Sequence, residues 1–251
     1  MKTPNHDDQY FYVMPEDVDN RQSVILRGEE AFHCTKVLRK KSGDRFFSVD
    51  GLGNEYLVEL AEAHKDTVSC RIIDSSTRLT ELPMHITLAQ ALIKHDHFDL
   101  VVEKCTELGV STFIPLETER SLADPGKNKS RRWQKIMMSS MKQSRRSVLP
   151  RLDDVTPLDE LVEKSNNYDV KIIFHEKSDR PVFDFTKNMN MSGTKILVLV
   201  GPEGGFTESE HRTVVSRDFI SLSLGRRRLR AETAAICAIS IFSNLCTPQN
   251  T

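Results

Sequence analysis

The sequence has few cysteines, no long apolar run and almost no net charge. Its five cysteines are odd in number and show no CxxC spacing, which argues against a zinc site and a disulfide framework. No apolar run is long enough to cross a bilayer, and the N-terminal MKTPNHDDQY lacks the apolar core of a signal peptide. We therefore expect a soluble, cytoplasmic protein that uses neither a membrane nor a metal.

The net charge of −1 argues against a protein that binds nucleic acid over its whole surface. The basic residues are nevertheless concentrated in two places. Nine of them, and no acid, lie between Pro125 and Arg151, and four arginines lie between Arg226 and Arg230. A solvated helix face explains the first cluster. It does not explain arginines crowded into a glycine-bearing loop, where like charges repel unless an anion is bound.

The first third of the chain has the pattern of a small β-barrel. A hairpin is indicated by DGLGNE, in which Gly51 and Gly53 supply the positive φ angles of a tight turn. A short helical pattern covers residues 28–39, and the polar stretch 74–83 resembles a linker. Strands are predicted at residues 46–49, 56–60 and 68–73. We expect a barrel domain over residues 1–76 and a second domain over residues 77–251.

The second domain alternates strands with helices, which predicts a mostly parallel sheet covered by helices on both faces. A helix with apolar residues at helical spacing ends at Gly109. The final helix, AETAAICAISIFSNL, is apolar almost all round, so it packs in the interior or against a second subunit. Strands are predicted at residues 85–92, 112–116, 170–174, 195–200 and 219–224.

Two glycine-bearing segments carry most of the functional information. KILVLVGPEGGFTESE and ISLSLGRRRLRAETAA each run from a strand into a loop and a helix start. Such loops should lie at the carboxyl ends of neighbouring strands, where open α/β sheets bind ligands. Thr207 and Glu210 form a predicted capping box. Neither loop has the Lys-Ser/Thr of a nucleoside triphosphate loop or the glycine spacing of a dinucleotide fingerprint, so a different ligand is expected.

Nearly the whole chain resembles the RsmE family of 16S ribosomal RNA uridine-N3 methyltransferases, which belong to the SPOUT superfamily. The matching stretches are HCTKVLRKKSGD, DGLGNEY, EKCTELGVSTFIPLETERS, RWQKIMMSSMKQSRR, LVGPEGGFTESE and LGRRRLRAETAA. The resemblance implies an N-terminal PUA-like barrel that assists RNA binding and a C-terminal α/β domain with a trefoil knot. It also implies a homodimer with active sites at the subunit interface.

The resemblance further implies that S-adenosylmethionine is held by the backbone of three loops. These follow residues 170–174, 195–200 and 219–224, and the implied cofactor-binding residues are His175, Leu199, Gly201, Gly204, Gly205, Leu224, Gly225 and Leu229. For catalysis, Arg230 is expected to stabilise negative charge on the uracil or to bind RNA phosphate. Glu203 is expected either to accept the N3 proton or only to cap a helix or pair with an arginine.

Residues expected to contact RNA are Arg39, Arg120, Arg132, Lys142, Arg145, Arg146 and Arg226; for Arg120 a salt bridge to Glu117 or Glu119 is an equal alternative. The chain departs from the family's usual EQSGR and LGPRILRTETA, since it reads KQSRR and LGRRRLRAETA there. These departures leave two alternatives open: an RNA-binding ribosome assembly factor that has lost catalysis, and a methyltransferase for a different nucleoside or a ribose hydroxyl.

Overall fold

A computed structural model describes residues 10–19, 22–77, 80–122, 127–186 and 192–245, without the side chains of residues 95, 127 and 128. The elements of its first part are β1 (Tyr10–Tyr12), β2 (Val18–Asp19), β3 (Ser23–Arg27), α1 (Gly28–Phe32), β4 (Arg45–Val49), β5 (Asn54–Ala63) and β6 (Thr67–Thr77). The strands form a six-stranded sheet with the order β1-β4-β5-β6-β3-β2. The β1–β4 pair is parallel and the other pairs are antiparallel.

This sheet encloses one apolar core with contributions from five strands and α1, including Phe11, Leu26, Ala31, Phe46 and Val68. The hairpin turn between β4 and β5 is confirmed, with φ angles of +75° at Gly51 and +111° at Gly53. The predicted linker at residues 74–83 is wrong at its start. β6 continues to Thr77 because its last residues pair with β5, up to Asn54.

The strands of the second part are β7 (His85–Ala91), β8 (Thr112–Glu117), β9 (Arg151–Leu152), β10 (Thr156–Pro157), β11 (Val170–Phe174), β12 (Lys195–Val200) and β13 (Ile220–Leu222). They form a seven-stranded parallel sheet with the order β10-β8-β7-β12-β11-β13 and with β9 beside β8. Its helices are α2 (His95–Glu107), α3 (Lys127–Gln143), α4 (Leu158–Glu163), α5 (Val182–Thr186), α6 (Glu208–Val215) and α7 (Ala231–Leu245).

Helices cover both faces of the parallel sheet, as predicted. Leu197 and Leu199 of β12 pack in one core with side chains of α4 and α6. On the opposite face, Phe174 of β11 lies 6.5 Å from Phe242 of α7, measured between ring centroids. Central parallel strands are therefore buried on both faces, which explains why KILVLV shows no alternation of apolar and polar residues.

The two glycine-bearing loops do not follow directly paired strands, which corrects the expectation. β12 and β13 each pair with β11, on its two sides. Because the strands are parallel, the loops after β7, β8, β11, β12 and β13 all leave the same edge of the sheet. The loop after β11 therefore lies between the two glycine-bearing loops.

The chain divides into two compact units. One contains the chain up to Glu81 together with Met138–Leu149, and the other contains Leu82–Met137 and Pro150–Thr251. The end of α3 and the segment after it therefore belong with the N-terminal sheet. A boundary after residue 76 cuts the last residue from β6 and omits this returning segment.

Candidate functional site

Three loops at the carboxyl edge of the parallel sheet surround one cavity of about 410 Å³, here called the first cavity. They follow β11, β12 and β13, which are the loops implied by the family resemblance. Seven of the eight residues expected to bind the cofactor line this cavity: His175, Gly201, Gly204, Gly205, Leu224, Gly225 and Leu229. Its size lies within the range of small-molecule sites, about 300–1,000 Å³.

Leu199 is the one expected residue that is outside the lining of this cavity. Its side chain is 0% exposed and packs in the core with α4 and α6, whereas the next residue, Val200, lines the cavity. Successive side chains of a strand point to opposite faces. The side chain of Val200 therefore faces the cavity, and that of Leu199 faces the core.

The glycines of the first cavity lie where a side chain would be crowded by its neighbours or strained by the backbone. A Cβ atom on Gly201 would lie 3.1 Å from the Phe206 ring, and one on Gly204 would lie 3.3 Å from Cδ of Arg120. Gly225 has a φ angle of +112°, in the region that favours glycine. The loops consequently present bare backbone to the cavity, which suits a ligand held by main-chain groups.

The loop after β12 is held in place from two directions. Arg120 donates a hydrogen bond from Nη1 to the carbonyl of Gly204 at 2.8 Å, and among the described residues no ion pair joins it to Glu117 or Glu119. Below the loop, Thr207 and Glu210 form the predicted capping box at the start of α6. Arg120 also lines the first cavity, so the structure connects it with the ligand loop.

His175 forms part of the wall between the loops. Its ring stacks on His211 with 4.2 Å between centroids, and His211 contacts the Ser221 hydroxyl at 2.9 Å. Burial lowers the pKa of His175, and the neighbouring His211 lowers it further. The charged form of His175 is therefore disfavoured at this wall.

The two residues expected to act in catalysis meet at a second cavity of about 390 Å³. This second cavity is lined by Lys94, His97, Leu122, Glu203, Arg230 and Glu232. Glu203 lines both cavities, whereas Arg230 lines the second. Glu203 also accepts a hydrogen bond from the Lys94 backbone N–H at 3.4 Å, next to the start of α2, in keeping with the capping alternative.

Two of the residues expected to bind RNA have other partners within the N-terminal unit. Arg146 is 3% exposed and its guanidinium binds the Glu81 carboxylate at 2.8 Å, so burial removes it from RNA contact. Lys142 forms an ion pair with Glu30. The hydroxyl of Thr80 donates to the carbonyl of Arg145, a half-buried residue with a φ angle of +59°.

The remaining expected RNA contacts are exposed. Arg39 and Arg226 are open to solvent, and Arg226 also lines the first cavity. Arg132 is exposed too, although it pairs with Asp99 at 2.6 Å.

Lys104 forms the ion pair with Glu107 that its helical spacing suggests, with 2.9 Å between Nζ and Oε1.

Sequence reasoning missed most of the second cavity. Lys94 and His97 follow β7, and Leu122 follows β8, so all three leave the sheet at the same edge as the glycine-bearing loops. The rule that ligands bind at the carboxyl ends of parallel strands could have identified them. Glu232 was visible as an acid within an otherwise apolar helix pattern.

The described residues contain neither a membrane-spanning helix nor a cluster of metal ligands. None of the helices described is long and apolar enough to cross a membrane. Across the same residues, no group of three or more His, Cys, Asp or Glu side chains is placed to hold a metal ion.

Comparisons with known proteins define the class of this protein. A family model described as an RNA methyltransferase domain matches residues 80–243, and one described as an RNA methyltransferase PUA domain matches residues 26–73. Ribosomal RNA small subunit methyltransferase E of Bacillus subtilis is 32% identical, over 94% of this chain and 95% of its own. The Synechocystis protein of the same name is 33% identical, over 93% of this chain and 76% of its own.

A solved structure agrees with these matches. The crystal structure of ribosomal RNA small subunit methyltransferase E from Neisseria gonorrhoeae, bound to S-adenosyl methionine, superposes with a TM-score of 0.85. It is 29% identical, over 95% of this chain and 98% of its own. The fold is that of a PUA-like domain followed by a SPOUT-type methyltransferase domain. The chain belongs to the small subunit ribosomal RNA methyltransferase E family.

Proposed function

We propose that this protein uses S-adenosylmethionine to methylate N3 of a uridine in 16S ribosomal RNA of the small subunit, in the cytoplasm. One observation carries the proposal: the first cavity is lined by residues of three loops at the sheet edge, four of them glycines. It occurs in a chain that is 29% identical to a family member whose structure is bound to S-adenosyl methionine. The exact nucleoside and position follow from the family resemblance.

The residues of the first cavity suit this cofactor. Leu224, Leu229 and Val200 offer an apolar surface to the flat adenine ring of the cofactor. Gly201 and Gly204 have no side chains, so their backbone groups can approach the cofactor closely. Glu208 is paired with Lys177, and cations outnumber carboxylates around the cavity, so its charge does not by itself favour a sulfonium. The fit to the cofactor therefore rests on the apolar and main-chain contacts.

S-adenosylmethionine supplies a methyl group on a positively charged sulfur, so no metal is needed to activate the leaving group. In the transfer, the N3–C bond forms, the C–S bond breaks and the N3 proton leaves. The protein has to align the uracil and to help remove this proton. We assign Arg230 to stabilise negative charge on the uracil oxygens. We assign Glu203, which lies at the border of the two cavities, either to accept the N3 proton or to make a positioning contact.

Exposed basic residues would hold the flanking RNA. Arg226 is exposed beside the glycine of the third loop, and Arg39 and Arg132 are exposed elsewhere. Because a paired uracil hides its N3 atom, the target must be unpaired or flipped while such residues bind phosphates. The PUA-like unit is proposed to assist this binding.

We also propose a homodimer with active sites at the subunit interface. The supporting feature is α7, on which Ile236, Cys237 and Ile241 are only half buried. Apolar side chains of this kind are commonly covered at subunit contacts.

Substitution of Gly204 tests the cofactor assignment. Gly204→Val places branched carbons against Arg120, so we expect the affinity for S-adenosylmethionine to fall at least tenfold, about 1.4 kcal/mol, in calorimetry. Gly204→Ala adds only the Cβ atom and should weaken binding less. If the wild-type protein binds no S-adenosylmethionine, the assignment as an enzyme is refuted, and the alternative of an RNA-binding assembly factor remains.

Arg230→Ala provides the matched contrast, because Arg230 lines the second cavity instead of the first. We expect turnover to fall while the affinity for S-adenosylmethionine stays within about twofold. Wild-type turnover in this variant would remove Arg230 from the mechanism.

A further inference from the structure

The second cavity adjoins the first at Glu203, a residue that lines both. At about 390 Å³ it is also large enough for a small ligand. Two helix starts contribute to it: Lys94 and His97 at the beginning of α2, and Arg230 and Glu232 at the beginning of α7. A group bound here would lie next to whatever occupies the first cavity.

The charges of the second cavity are balanced. Lys94 and Arg230 are cations, Glu203 and Glu232 are carboxylates, and Leu122 adds an apolar surface. A phosphate would share the cavity with two carboxylates, which is unfavourable. A neutral ring with both donors and acceptors on its edge fits this set of side chains better.

A buried pair forms one wall. Glu232 is 6% exposed, and its Oε2 lies 3.5 Å from Nδ1 of His97. Both atoms are shielded from solvent, and within the described residues neither has a hydrogen bond. The His97 side chain as a whole is 35% exposed, so the buried Nδ1 holds a ring that is otherwise partly open to the cavity.

We propose that the second cavity receives the base of the target nucleotide and that His97 and Glu232 are a positioning pair that fixes its polar wall. This inference rests on the proposed function. The Watson–Crick edge of uracil presents two acceptors and one donor, and the cavity offers cations that donate and carboxylates that accept. Cytosine has a lone pair at N3, which a carboxylate facing that atom would repel, so a cavity with carboxylates in its lining favours uridine.

Filling the cavity tests the proposal. Leu122 is 43% exposed and lines the second cavity, so Leu122→Trp should fill space without disturbing the core. The control is Val215→Trp, at an aliphatic residue that is 40% exposed at the end of α6 and outside both sets of lining residues. Small ribosomal subunits from cells that lack this protein serve as substrate, with S-adenosylmethionine labelled on its methyl group.

We expect Leu122→Trp to bind S-adenosylmethionine within about twofold of wild type and to transfer label at least a hundredfold more slowly, because base entry is blocked. Val215→Trp should leave both quantities unchanged. Transfer at the wild-type rate by Leu122→Trp overturns the assignment of the cavity.

The positioning pair is tested in the same assay. His97→Ala should lower kcat with little change in the KM for S-adenosylmethionine. His97→Asn, whose amide can occupy the place of Nδ1, should have a kcat between those of His97→Ala and wild type. Equal kcat in wild type and His97→Ala overturns the role of the pair.

The identity of the labelled nucleoside separates this inference from the proposed function. Label on a nucleoside other than N3-methyluridine refutes the proposed target and the selection of uridine, while Leu122→Trp still decides whether the cavity admits the base. Wild-type protein that transfers no label refutes both.

Discussion

Arg146 illustrates how a basic residue within a basic stretch can have a structural role. Its guanidinium binds Glu81, and the same carboxylate accepts hydrogen bonds from the backbone N–H groups of Ser147 and Val148, each at 3.1 Å. Glu81 thus ties the segment after α3 into the N-terminal unit. Both side chains are at most 10% exposed, so neither is solvated when its partner is lost.

We predict that Arg146→Ala lowers the free energy of unfolding by about 3–5 kcal/mol, because it leaves a buried carboxylate unpaired. Denaturant unfolding measures the change. Arg131→Ala, at an exposed residue of the same basic stretch, should change stability by less than about 0.5 kcal/mol. Equal stability of Arg146→Ala and wild type would contradict the structural role.

At the residue level, sequence reasoning identified the glycines of the first cavity but not the direction of every side chain. Leu199 and Val200 are both apolar in a strand buried on both faces, so composition contains no information on which one faces the cavity. Lys142 and Arg146 look alike in the sequence, yet each has an acidic partner far away in the chain. Such pairings depend on tertiary structure.

Among the elements, the loop after β11 links two parts of the site. His175 lies at the end of β11 and stacks on His211 of α6, which reaches Ser221 of β13. Both rings pack beside the first cavity wall, so a charge on His175 would be placed in a partly buried position next to a second histidine.

We predict that the melting temperature falls as the pH is lowered from 7.5 to 5.5 and that His175→Gln reduces this fall. The pKa of His175 is depressed in the folded state, so the unfolded state binds the proton more readily and stability is lost below about pH 6.5. A smaller fall should persist, because burial also lowers the pKa of His85.

His64→Gln is the control, since the His64 side chain is 58% exposed. This variant should keep the wild-type dependence of melting temperature on pH. An unchanged dependence in His175→Gln would show that the stacked ring does not determine acid sensitivity.

The elements themselves were largely predictable. β11 and β12 have the predicted bounds, and the capping box begins α6, because these features depend on local residue types. The extension of β6 to Thr77 was not predictable, since polar residues there are held by pairing with β5. The order β12-β11-β13 also required the structure, because it depends on chain crossovers.

For the whole molecule, the PUA-like and SPOUT-type parts were identified from motifs spread over nearly the whole chain, and the family matches confirm them. The return of Met138–Leu149 to the N-terminal unit has no sequence signature, because Met141 packs there against Tyr10 and Val49 from a distant part of the chain. The trefoil knot, the homodimer and the target nucleoside stay predictions.

The central claim is that this chain methylates N3 of a uridine in 16S ribosomal RNA. Nucleoside mass spectrometry of 16S ribosomal RNA from cells that lack the gene tests it most directly. We predict that N3-methyluridine disappears and that the wild-type gene restores it, whereas the gene for Gly204→Val does not. Retention of N3-methyluridine in cells that lack the gene would contradict the account.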